Sequence, residues 1–137
     1  MGWLTGVSAV LFFAACVSRD PTSVGNYMMS FTWTPSGSPV LDEVVAEPEF
    51  RRVLFNGSMQ AAISCVDLSP KVLADGKDIT LTVEAKARAG TCTDMPGYFT
   101  FRAITGNFRP ATYRVKVIYK DESGARTMMA GQVVVVP

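Results

Sequence analysis

After about residue 26, apolar and polar residues alternate with a period of two along most of this chain. That spacing belongs to strands with one buried and one wet face. The clearest run sets Ile79, Leu81, Val83, Ala85 and Ala87 against Thr80, Thr82, Glu84, Lys86 and Arg88, and predicts a strand over residues 79–89. Tyr27, Met29, Phe31 and Trp33 share one face of an earlier strand, with Met28, Ser30 and Thr32 on the other. Phe99, Phe101 and Ala103 mark a strand over 98–104. Tyr113, Val115, Val117 and Tyr119, opposed by Arg114, Lys116 and Lys120, mark another over 112–120. A valine run up to Val136 forms the last. Leu81, Val83, Phe101, Val115 and Val117 are the expected core.

Turn residues punctuate these runs. Residues 34–39, 74–77, 89–97, 105–107 and 121–124 are rich in Gly, Pro, Asn, Asp and Ser. Asn56-Gly57 predicts a hairpin turn between strands at 50–55 and 59–66, because both residues tolerate the positive φ of a tight turn. From Val40 to Phe50, the spacing of Leu41, Val44 and Val45 predicts a short helix or an irregular edge segment, limited by Pro48. The sum is about seven strands and no long helix. It predicts an all-β, two-sheet antiparallel sandwich.

The stretch from Phe108 through Arg109, Pro110, Ala111, Thr112 and Tyr113 into alternating valines, followed by a glycine turn and a valine-rich final strand, resembles the end of immunoglobulin-like and fibronectin-type-III-like bacterial domains. The resemblance covers about the last 40 residues. It implies an Ig-like sandwich and places Tyr113 at the "tyrosine corner" of that architecture. The cysteine-tryptophan-cysteine core of antibody domains is absent, since Trp33 precedes both Cys65 and Cys92.

The chain opens differently. No charged side chain occurs before Arg19. Its apolar centre, Val7 to Phe13, is followed by Ala14 and Ala15, which is the layout of an export signal. Phe13-Ala14-Ala15-Cys16 resembles the lipobox of bacterial lipoproteins, with Phe13 standing where leucine is usual. The resemblance implies cleavage before Cys16, whose thiol then carries a diacylglyceryl group and with it fatty-acyl chains such as palmitate. A plain secretory signal and a retained transmembrane helix are the alternatives, although a helix needs about 20 apolar residues to cross a bilayer. The expected organisation is a signal peptide at 1–15, the lipidated Cys16 and a tether at 16–26, and the Ig-like domain at 27–137. With Cys16 lipidated, two of the three cysteines remain. An even pair in an exported chain reads as a disulfide, Cys65–Cys92, worth about 3 kcal/mol in the chain-entropy model. Two buried free thiols are the alternative.

Composition narrows the chemistry. There is no histidine, which removes the histidine-dependent nucleophile systems and most zinc sites. Thirteen Lys and Arg against twelve Asp and Glu leave a net charge of +1, too little surplus for a nucleic-acid binder. Asp42, Glu43, Glu47 and Glu49 form an acidic cluster best read as a solvated face. Ser64-Cys65 and Thr91-Cys92-Thr93 lack an accompanying base. Arg51, Arg52, Arg88, Arg102, Arg109 and Arg114 read as ordinary solvated positions, with one shared face toward an anionic surface as the alternative. No catalytic residue, metal or cofactor is expected. The expectation is a lipid-anchored, non-catalytic binding or structural module of the cell envelope. Its partners would be the membrane, through the anchor, and envelope proteins or surface polymers. The alternative is a small-ligand or carbohydrate binder that uses loops at one end of the sandwich.

Overall fold

The structure, a computed structural model, describes residues 27–90 and 95–137. The expected signal, Cys16, the tether and Cys92 lie outside them. The described chain is all-β: β1 (Met28–Pro35), β2 (Glu43–Glu49), β3 (Arg52–Ala61), β4 (Val66–Asp75), β5 (Asp78–Ala87), β6 (Gly97–Gly106), β7 (Ala111–Asp121) and β8 (Gly124–Val136). These eight strands, against about seven expected, form two four-stranded sheets. Sheet 1 runs β1-β6-β3-β2 and sheet 2 runs β4-β5-β7-β8.

Burial follows the alternation. Phe55, Met59, Phe99, Phe101 and Ala103 of sheet 1 face Val72, Ile79, Leu81, Val83, Val115, Val117 and Tyr119 of sheet 2 in one apolar core. All five expected core residues are buried. Thr105 is fully buried and polar, and its hydroxyl donates to the Val53 carbonyl at 2.9 Å. No buried side-chain polar atom among the described residues lacks a partner, as a low-dielectric interior demands. Ala87 keeps the face of Ala85, beside which it lines an apolar pocket, but is exposed because it ends β5. Met29 is exposed too, because the β1–β6 register shifts between Met28 and Ser30. A one-residue slip sends a side chain to the opposite face.

Other expectations are corrected. The segment from Val40 to Phe50 is not helical. It supplies β2, which lies at the edge of sheet 1 and so tolerates Pro48. Asn56 and Gly57 are not a turn but the middle of β3, opposite Arg102 and Phe101 of β6. The hairpin turn sits instead at Phe50-Arg51, between the paired Glu49 and Arg52, with Arg51 at a φ of 57°. The expected strand at 59–66 is broken at 62–65, and Val66 opens the next one. The expected turn at 105–107 begins later, since β6 runs through Gly106. Finally, the sandwich is not wholly antiparallel. β5 pairs with β7 in parallel, while every other pairing is antiparallel. A parallel pair needs a long crossover, and here β6, lying in the other sheet, provides it.

Strand directions assign the connections to two ends. At the Cys65 end lie residues 36–42, the link 62–65, residues 88–90 and 95–96, and the β7–β8 turn. At the Tyr27 end lie Tyr27 itself, the Phe50-Arg51 turn, the Gly76-Lys77 turn and the 107–110 connection.

Candidate functional site

At the Cys65 end, an apolar pocket of about 200 Å³ opens between Ile63, Val66, Ala85 and Ala87, with Tyr119 and Asp121 on its polar side. The surrounding connections are fixed by backbone. The Arg88 N–H donates to the Cys65 carbonyl at 3.0 Å, and the Ser36 N–H to the Tyr98 carbonyl at 2.7 Å. Gly97 approaches Ser64 so closely that a Cβ there would stand 2.7 Å from the Ser64 Cα. Both ends of the 88–96 segment therefore leave from beside the 62–65 link. Cys65, half-buried, sits between them.

A polar network runs along the flank of this end. Arg126 of β8 lays its guanidinium 4.1 Å from the Tyr119 ring centroid. It donates through Nε to Asp42 Oδ2 at 2.7 Å and through Nη2 to Asp42 Oδ1 at 3.0 Å, and it also donates to the Gln60 carbonyl. Burial works to raise the Asp42 carboxyl. The bonds from Arg126 and from the Gln60 N–H, with the guanidinium charge, outweigh it and hold Asp42 below the usual carboxylate range. Burial, then the bond to Asp121 at 2.9 Å, push the Tyr119 phenol far up. The hydroxyl of Ser123 leads the bonds that lower Asp121. The perturbed carboxylates and the Tyr119 phenol are thus engaged with one another and with the backbone. Their chemistry is that of a clamp between sheets.

The expected acidic cluster is consequently dispersed. Asp42 joins this clamp, while Glu49 lies 3.9 Å from Arg52. The six arginines do not share one face either. Arg88 bonds Asp67 at 2.8 Å and covers Trp33 at the Cys65 end. Arg51 and Arg109 belong to the Tyr27 end. Arg102 and Arg114 point outward from different sheets. Among the described residues, no three His, Cys, Asp or Glu side chains group as a metal site.

At the Tyr27 end, a wider cleft of about 650 Å³ is lined by Tyr27, Phe108 and Tyr113 with Lys77 and Arg109. Tyr27 stacks on Phe108 at 5.1 Å between centroids, and Phe108 meets Tyr113 at 5.5 Å. The Tyr113 hydroxyl donates to the Arg109 carbonyl at 2.7 Å, four positions upstream. Sequence reasoning placed Tyr113 and Arg109 without seeing this cleft. The signal was the density of aromatic and basic residues around Pro110.

The chain matches no protein family, no curated protein and no solved structure.

Proposed function

We propose that this chain is an exported lipoprotein, anchored in a membrane through Cys16, whose Ig-like sandwich is a non-catalytic binding or structural module of the cell envelope. One observation carries the reading. The apolar pocket lies at the end of the sandwich opposite Tyr27, where residues 1–26 join the fold. Anchored from the Tyr27 end, the domain would hold the pocket away from the bilayer. Leu41 and Met95, 83% and 64% exposed, add uncovered apolar surface toward the same end, of the kind that marks protein contacts. The bond of Tyr113 to Arg109 is the one a tyrosine corner makes and supports the Ig-like assignment.

A Cys65–Cys92 disulfide belongs to this reading. Cys65 is engaged rather than a free thiol, and Cys92 falls within the segment whose two ends flank it. The bridge would hold that rim of the pocket, where recognition loops concentrate. The pocket itself favours a second reading, a binder of a small apolar ligand, although it is below the usual ligand-site volume of about 300–1,000 Å³.

A pull-down from native membranes with two variants tests the proposal. Cys16→Ser should abolish fatty-acid labelling and release the chain from the membrane fraction. Ile63→Glu, placed in the pocket wall, should keep labelling and lose the captured envelope protein. Unchanged labelling in Cys16→Ser would refute the anchor. Unchanged capture with Ile63→Glu would refute the binding end.

A further inference from the structure

We infer that the Tyr27 end of the sandwich docks on an anionic membrane surface, with Arg51, Lys77 and Arg109 against the headgroups and Phe50 at the interface; this rests on the anchored reading above. Backbone bonds make this end one surface. The Phe108 N–H donates to the Arg51 carbonyl at 2.9 Å, the Gly106 N–H to the Tyr27 carbonyl at 2.9 Å, and the Arg114 N–H to the Lys77 carbonyl at 2.8 Å. The tip of the β2–β3 hairpin, the β6–β7 connection and the β4–β5 turn are thereby fixed relative to strand ends rather than left as independent loops.

The chemistry of that surface is basic and aromatic. Among the described residues, the charged ones in the wall of its cleft are Lys77 and Arg109, and both are cations. Arg51 and Arg114 add charge nearby. Glu49, Asp75 and Asp78 oppose them, and Glu49 stands nearest Arg52. At the hairpin tip, Phe50 is 71% exposed, with the Arg51 guanidinium 5.5 Å from its ring centroid. A large aromatic held in water at a turn, with a cation beside it, has the composition of an interfacial contact. The ring enters the headgroup boundary and the guanidinium meets phosphate.

Connectivity selects a membrane as the occupant. A tether of residues 17–26 reaches at most about 35 Å when fully extended. A chain lipidated at Cys16 therefore keeps this end within that distance of the bilayer. Contacts too weak to recruit a free protein then act at high effective concentration.

Amide hydrogen exchange on the full chain in vesicles tests the inference. Phosphatidylglycerol vesicles should slow exchange at residues 49–52 and 106–111 by at least about threefold, and leave residues 121–124 unchanged. Phosphatidylcholine vesicles should slow neither. In the triple variant Phe50→Ser, Arg51→Gln, Arg109→Gln, the protection on phosphatidylglycerol should disappear, with exchange at residues 121–124 reporting an intact fold. Equal exchange on the two vesicle types, or protection that survives the triple variant, would overturn the surface. Loss of the chain from phosphatidylcholine vesicles would count against the anchor alone, since the surface is read on phosphatidylglycerol.

Discussion

Gly57 shows how one residue can carry two different messages. Followed from Asn56, it reads as a turn, because glycine supplies positive φ at no steric cost. In the fold its value is its missing side chain. A Cβ at Gly57 would stand 2.5 Å from two atoms of the Phe101 ring, which lies directly opposite in the sheet. The partner that explains the glycine is far along the chain, so no local pattern could separate close approach from a turn. The actual turn falls at Phe50-Arg51, which carries no turn residue. A left-handed non-glycine costs about 1–2 kcal/mol, and here the Arg51 carbonyl is also tied to Phe108. Gly57→Ala should therefore destabilise the protein by about 1–3 kcal/mol, by forcing the Phe101 ring aside. Urea denaturation of Gly57→Ala, Phe101→Leu and the double variant checks this. The double variant should be more stable than the sum of the two losses implies. Strict additivity would mean that the ring does not cover Gly57.

Among the elements, those with uninterrupted alternation were legible and those broken by proline were not. β5, β6 and β7 each bury one residue in two along most of their length, and the sequence marks them plainly. β4 carries the same period in Val66, Leu68, Val72 and Ala74, all buried, but Pro70 interrupts it. β2 buries only Val44 and Ala46, and Leu41 and Val45 lent it a helical spacing. Both strands lie at sheet edges, where a proline can leave its missing N–H on the unpaired side. Alternation also says nothing about direction, which is why the parallel β5–β7 pair was not foreseen. β5 lies inside sheet 2, between β4 and β7, so its inward side chains have no room to relax. Leu81→Ala should cost about 2–5 kcal/mol through lost transfer energy and the cavity left behind. Thr82→Ala, on the outward face, should stay within about 0.5 kcal/mol. Thermal denaturation of the two variants separates them, and similar losses at both would mean that the faces are reversed.

At the scale of the whole molecule, the two sheets need more than an apolar interior to fix their relative position along one flank, and the Arg126 clamp supplies it. Arg126 and Tyr119 come from sheet 2, while Asp42 precedes β2 and Gln60 belongs to β3 of sheet 1. Nothing in the sequence near Asp42 points to Arg126. An aspartate in an acidic stretch and an arginine after a glycine turn each look solvated until the sheets bring them together. Because the folded state holds the Asp42 carboxyl below its ordinary value of 3.8, its contribution has a defined pH dependence. The stabilisation is fully present above the unfolded value and is lost as pH falls through the lowered folded one. The pair is about a third exposed on each side, 40% for Arg126 and 33% for Asp42, so solvent screening limits it to about 1 kcal/mol. Asp42→Asn should therefore lower stability by about that amount at pH 7, with a gap that narrows in high salt. The gap should narrow as pH falls from that ordinary value through the lowered folded one, where the wild-type carboxyl becomes protonated as well. Asp121, also held low, destabilises both proteins in acid to the same degree and cancels from the comparison. Urea midpoints of the two proteins measured from pH 7 down to pH 2 decide the matter. A gap that stays constant across that range would show that Asp42 acts through shape and neutral hydrogen bonds, with no contribution from its charge.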